Sequence, residues 1–225
     1  MRRLVILLLS FFALATPAMA RDTVVIEETV EVTEYVDAGG SERVVNVAPP
    51  GIPKGIARFG PFVVLDGSRA ALVDVTDSAS PAQFAAMMKA HPGIAVLEMI
   101  ECPGTEDDRA NLRLGRMIRA KGLTTHVPAG GSVRSGGVEL FLAGKLRKAD
   151  PGAEFAVHAW ADEDGREPTD YAEGAPENRA YIDYYVEMGM TDGAAKAFYA
   201  MTNSVPNADA KWLTARDMKQ WVVLD

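Results

Sequence analysis

Ile94-Ala95-Val96-Leu97-Glu98-Met99-Ile100, then Asp107 through Ala120, then Leu123-Thr124-Thr125-His126-Val127, stand in that order along the chain. The first run lies between Pro92-Gly93 and Pro103-Gly104. With those flanks it is too short for a helix and suits a strand buried on both faces. The middle segment carries acids in its first turn, Arg116 and Arg119 near its last, and Gly122 just beyond, as the helix dipole and C-cap chemistry favour. Strand, helix and strand joined by short turns predict parallel pairing with a right-handed crossover.

The same alternation extends both ways. Downstream, the Gly-rich turn Ala129-Gly130-Gly131-Ser132 leads into a helix expected over Ser135 to Leu146, and Phe155 to Trp160 reads as a strand. Residues 162–178 are polar and Pro/Gly-bearing, a loop. Helices are expected over 178–188 and 192–202, then a short one from Thr214 and a terminal strand, Trp221-Val222-Val223-Leu224. Upstream, Ser80-Pro81 opens a helix whose Phe84, Met87 and Met88 share a face and which His91-Pro92-Gly93 ends. Before it, Phe62 to Leu65 and Ala70 to Val75 are strand candidates separated by Asp66-Gly67-Ser68, a turn signal. The fold class predicted is α/β with a mainly parallel sheet.

The first twenty residues differ in kind. Met1-Arg2-Arg3, an apolar run from Leu4 to Phe12, and Ala18-Met19-Ala20 compose a secretory signal peptide, too short to span a bilayer comfortably. Residues 21–60, rich in Val, Glu and Thr and broken at Pro49-Pro50, read as an extended arm, and 61–225 as one domain. The expected location is therefore periplasmic or secreted, with no membrane association after cleavage. Losing Arg2 and Arg3 with the leader deepens the net charge from −8 to −10, which argues against nucleic acid as a partner. The lone cysteine, Cys102, has no internal disulfide partner and ends an apolar run, so it reads as a buried thiol.

Three consecutive turns can carry chemistry. Residues 101–105 (Glu-Cys-Pro-Gly-Thr) and 130–137 (Gly-Gly-Ser-Val-Arg-Ser-Gly-Gly) each lead from a strand to a helix, and His158 lies near the end of the next strand. Neighbouring parallel strands bring their carboxyl ends to one edge, so Ser135 and His158 can meet. A serine hydroxyl needs a base within reach, and the oxyanion it creates needs preorganised N–H donors, which a helix start offers. Equally, a serine at a helix start suits an N-cap, and a strand histidine can be merely half-buried. Other motifs are absent. Residues 133–137 lack the first glycine of the G-x-S-x-G elbow, and Gly144-Lys145 lacks the rest of a P-loop. His91, His126 and His158 show no metal-ligand spacing, and Asp162-Glu163-Asp164-Gly165 is too short for a Ca²⁺ loop. No metal or cofactor is expected.

From Ile94 to Trp160 the chain resembles the ClpP-like serine peptidases of the ClpP/crotonase-like superfamily, especially periplasmic members with signal peptides. The resemblance rests on Cys102-Pro103-Gly104-Thr105 before a helix, on Val133-Arg134-Ser135-Gly136-Gly137 and the run Leu140 to Arg147, and on Gly152 to His158. It implies a spiral of β-β-α units, oligomers that are often rings, and acyl transfer to water through a serine ester. Carried over residue by residue, it makes Ser135 the nucleophile and His158 the base. It draws the oxyanion donors from the N–H groups of Gly136 and of Thr105, which stands where the family has glycine. The family's acid lies shortly before the segment matched by Trp212-Leu213. There the chain offers Asn203, Asn207 and Asp209, and Asp209 is the carboxylate. The expected substrate is a peptide or unfolded segment, handled without a Clp ATPase. The alternative is a non-catalytic member used for binding or assembly. An acyl-CoA enzyme on the same fold is disfavoured, because export separates it from CoA and no glutamate pair sits at the two turns.

Overall fold

The computed structural model describes residues 47–225; the leader and most of the 21–60 arm lie outside the described residues. The chain runs β1 (Ala57–Phe59), β2 (Phe62–Val64), β3 (Arg69–Leu72), α1 (Ser80–Ala90), β4 (Val96–Met99), β5 (Glu101–Cys102) and α2 (Asp108–Ala120). It continues with β6 (Thr124–Val127), β7 (Ser132–Arg134), α3 (Gly136–Leu142), β8 (Leu146–Ala149) and β9 (Glu154–Val157). A helical hairpin follows, α4 (Pro176–Glu187) and α5 (Asp192–Thr202), then β10 (Lys211–Thr214) and α6 (Ala215–Met218).

Two sheets organise these strands. One is six-stranded, in the order β1-β2-β3-β4-β6-β8, and the other four-stranded, β10-β9-β7-β5. Pairing is parallel from β3 through β8 and from β5 through β9, and antiparallel at β1–β2, β2–β3 and β9–β10. The chain is therefore mixed α/β with mainly parallel pairing. Each successive unit (β4-β5-α2, β6-β7-α3, β8-β9) gives its first strand to one sheet and its second to the other, a spiral of β-β-α repeats. The core between these layers holds Leu72, Leu97, Met99, Leu114, Phe141 and Phe155, each at 1% exposure or less. Cys102 is among them, its thiol against the Leu72 carbonyl and pushed up by burial.

Several elements differ from expectation. The run 94–100 breaks at Ile100 into β4 and β5, and along β4 the buried Leu97 and Met99 alternate with half-buried Val96 and Glu98. The turn at 130–137 contains β7. The third helix stops at Leu142, not Leu146. A side chain on Gly144 would meet Thr125 Oγ1 at 2.2 Å, and the Gly144 carbonyl is taken by Arg119 at 2.7 Å, so the chain turns out into β8. Residues 221–224 form no strand: Trp221 and Val222 bond back to Met218, and the tail meets β8 by the Asp225 N–H to the Arg147 carbonyl at 2.8 Å. The strand near this end is β10, upstream of α6, which Thr214 and Asp217 start with a reciprocal capping box. The last residues of the 21–60 arm enter the sheet as β1.

Candidate active site

The repeat decides where the site forms. β5, β7 and β9 are adjacent and parallel, with Cys102 opposite Val133 and Val133 opposite Phe155. Their carboxyl ends therefore deliver Thr105, Ser135 and His158 to one edge, with Ser135 in the centre. The Ser135 N–H extends the ladder to the Ala156 carbonyl at 2.9 Å, two residues before His158. Thr105, Ser135, Gly136 and His158 line one cavity of about 170 Å³.

Ser135 is held in an unusual backbone state. Its φ is 47° and ψ −128°, and among the described residues it is the one non-glycine with positive φ. An L-residue in that region carries strain of order 1–3 kcal/mol, which persists where surrounding structure imposes it and is found disproportionately at active sites. Its side chain makes no N-cap hydrogen bond, so the ordinary structural use of a serine at a helix start does not account for it. The conformation turns the hydroxyl to the cavity as α3 begins.

Thr105 fits its turn without strain. The positive φ falls on the preceding residue, Gly104 (+136°), where a Cβ would lie 3.1 Å from Ser135 Cβ. Thr76 and Thr105 form a parallel bridge in which the Thr76 N–H donates to the Gly104 carbonyl and the Glu106 N–H to the Thr76 carbonyl. That geometry points the Thr105 N–H away from Thr76, toward the Ser135 side. The Gly136 N–H, at the first position of α3, has no intrahelical acceptor. Gly136 must be glycine, because a Cβ would lie 2.6 Å from Thr105 Cγ2. Behind both turns, buried Asn111 donates to the Gly136 carbonyl at 2.7 Å and accepts from Thr76 Oγ1 at 3.0 Å. One side chain of α2 thus fixes the turn after β5 to the start of α3.

His158 Nδ1 lies 2.9 Å from the Ala159 carbonyl, which identifies it as the protonated nitrogen and leaves Nε2 as the basic one. Asn207 donates to the same carbonyl at 2.8 Å and sits 3.2 Å from Nδ1. The group facing the back of the imidazole is therefore an amide. Asp209 is not brought there: it is exposed, with its N–H turned to the Pro206 carbonyl, and does not line the cavity. Of the three residues in that window, Asn203 and Asn207 line the cavity.

Two carboxyls absent from the sequence reading complete the wall. Asp108 follows the first turn and Glu139 the second, each three residues beyond Thr105 or Gly136. Glu139 is 7% exposed, receives the Tyr185 hydroxyl at 2.7 Å, and burial lifts it to about 7. Asp108 keeps an exposed outer edge, but its carboxyl turns under Tyr181 and desolvation raises it. There is no glutamate pair at the two turns, yet an Asp/Glu pair is there. The helical hairpin supplies Tyr181, Tyr185 and Tyr199. Tyr181 and Tyr185 fall at i and i+4 on α4, a spacing visible in the sequence. Among the described residues no group of His, Cys, Asp and Glu is placed to hold a metal ion, and no helix is long and apolar enough to cross a membrane.

Neither a protein-family model nor a curated protein matches the chain. Solved structures do. The 1510-N membrane protease specific for a stomatin homolog from Pyrococcus horikoshii has a TM-score of 0.44 and 15% identity, over 69% of this chain and 70% of that one. A ClpP1 mutant from Listeria monocytogenes has a TM-score of 0.49 and 15% identity, over 71% and 93%. An enoyl-CoA hydratase from Shewanella pealeana has a TM-score of 0.47 and 12% identity, over 74% and 68%. At these scores and identities none of them assigns this chain an activity.

Proposed function

We propose that the protein is an exported serine hydrolase that cleaves peptide bonds through Ser135 and His158. The observation that carries this reading is the strained backbone of Ser135, whose uncapped hydroxyl shares a cavity with His158. Ser135 Oγ attacks the substrate carbonyl as His158 Nε2 takes its proton. The oxyanion forms against the N–H groups of Gly136 and Thr105. His158 returns the proton to the leaving nitrogen, the C–N bond breaks, and a serine ester remains. Water then gives its proton to Nε2, attacks the ester, and frees the acid and Ser135. The Ala159 carbonyl, which also accepts from Asn207, holds the imidazole in the required tautomer. Asp108 lines the same cavity as Ser135 and His158.

A fluorophosphonate probe followed by intact mass tests this. The wild-type protein is expected to gain one adduct and Ser135→Ala none. Asn207→Ala, which removes a donor from the Ala159 carbonyl that receives His158 Nδ1, is expected to label about tenfold more slowly, and Asp209→Asn at the wild-type rate. A folded wild-type protein that gains no adduct would sink the hydrolase reading and favour a binding or assembly module.

A further inference from the structure

Beside Ser135 and His158 the cavity has a polarity of its own. Its wall contains Asp108 and Glu139 and neither lysine nor arginine. Beside the carboxyls stand aromatic side chains, with Tyr181 hydrogen-bonded to Asp108 and Tyr185 to Glu139. The Trp160 and Tyr181 rings are nearly parallel, 8° apart with centroids at 6.1 Å, and Tyr181 lies 6.1 Å from Tyr199. The Trp160 N–H donates to the Tyr199 hydroxyl at 2.7 Å, and that hydroxyl donates to Asn178 at 2.6 Å, so the indole and phenol are locked in place. Aromatic faces and carboxylates attract the same ligand, a cation. The volume holds on the order of ten water molecules, room for one extended side chain.

The cavity opens into a groove of about 850 Å³, with Asp108, Trp160, Ala161 and Tyr181 common to both. Seven carboxylates and three guanidiniums line the groove. Two of those guanidiniums are already engaged, Arg116 by Glu187 and Arg166 by Asp162 and Asp164. Carboxyl groups thus continue from the groove to Glu139 in the cavity that also holds Ser135. Burying Glu139 costs stability unless something in the cavity returns the interaction that water gave it.

On the hydrolase reading above, we infer that groove and cavity take a basic polypeptide segment. Its Lys or Arg side chain lodges between Glu139, Asp108 and the Trp160–Tyr181 face, and the adjoining carbonyl lies at Ser135. Glu139 and Asp108 are then specificity residues.

The test is a fluorescence-anisotropy titration of Ser135→Ala protein, which binds without turning over. Labelled peptides of equal length would carry lysine or neutral norleucine at the same positions. The lysine peptide is expected to bind at least tenfold tighter. Glu139→Gln and Asp108→Asn, each added to that background, are expected to reduce the preference five- to tenfold. Glu177→Gln, on the groove surface away from packing, should reduce it about twofold and serves if a cavity variant fails to fold. Equal affinity for the two peptides, or a preference untouched by these substitutions, would overturn the inference. The labelling experiment keeps the two readings apart. Labelling with no lysine preference would sink the inference and leave the hydrolase standing, whereas lysine preference with no labelling would do the reverse.

Discussion

Glu139 is a buried acid whose placement costs stability. In the unfolded chain its carboxyl titrates near 4.5, and in the folded protein near 7. Between those values the folded state holds a proton that the unfolded state has lost, so stability falls as pH rises through that window. The full difference is about 3 kcal/mol. Glu139→Gln keeps an acceptor for Tyr185 and removes the titration. It should match the parent near pH 4 and exceed it at pH 8 by up to about 3 kcal/mol, read from denaturant melts at the two pH values. A parent and variant with parallel pH profiles would show that the carboxyl is not held protonated. The signal for Glu139 was in the sequence, a lone acid inside Val138-Glu139-Leu140-Phe141-Leu142. The signal that separates Asn207 from Asp209 was not. The two lie in one short polar window, and the turn bond from Asp209 N–H to the Pro206 carbonyl decides which side chain faces His158.

Among the elements, those with strong periodicity were legible: α1, α2, α4 and α5 fall within a residue or two of expectation. Short strands were not. β5 and β7 are two and three residues long, and their extended form comes from the ladder to neighbours, a tertiary effect no local pattern carries. For the same reason residues 143–146, up to the start of β8, were read as the end of α3: Lys145 and Leu146 suit a helix, but Thr125 leaves no room at Gly144 for the helix to continue. Asn111 shows how one helix serves the site. It reads as an unremarkable polar residue on α2, yet it joins Thr76 to the carbonyl of Gly136. Asn111→Ala takes the side-chain donor from that buried carbonyl and leaves the Thr76 hydroxyl only the Gly104 carbonyl at 3.3 Å. The expected cost is about 1–3 kcal/mol in a urea melt, with slower fluorophosphonate labelling of Ser135. Unchanged labelling in a folded variant would mean the turns hold their geometry without it.

At the scale of the molecule, an overall charge of −8 is unevenly felt, because the acidic groove focuses it beside the cavity. Association of a lysine peptide, followed by stopped-flow fluorescence, should slow several-fold between 50 and 500 mM salt as screening shortens the field; the norleucine peptide should be nearly indifferent. Equal salt dependence for the two would show that the groove does not steer. The architecture itself has a consequence for inheritance. The carbonyl-binding turns after β5 and β7 are fastened to the sheet body through Thr76 and Asn111. The turn bearing His158 is fastened elsewhere, by the Ala159 N–H to the Val205 carbonyl and by Asn207. Mutations in the 203–207 segment can therefore retire or replace the base while the cradle for an oxyanion survives intact. A lineage built on this frame can change the reaction it performs by altering one peripheral stretch of chain, and its descendants would share a cradle long after they had ceased to share a chemistry.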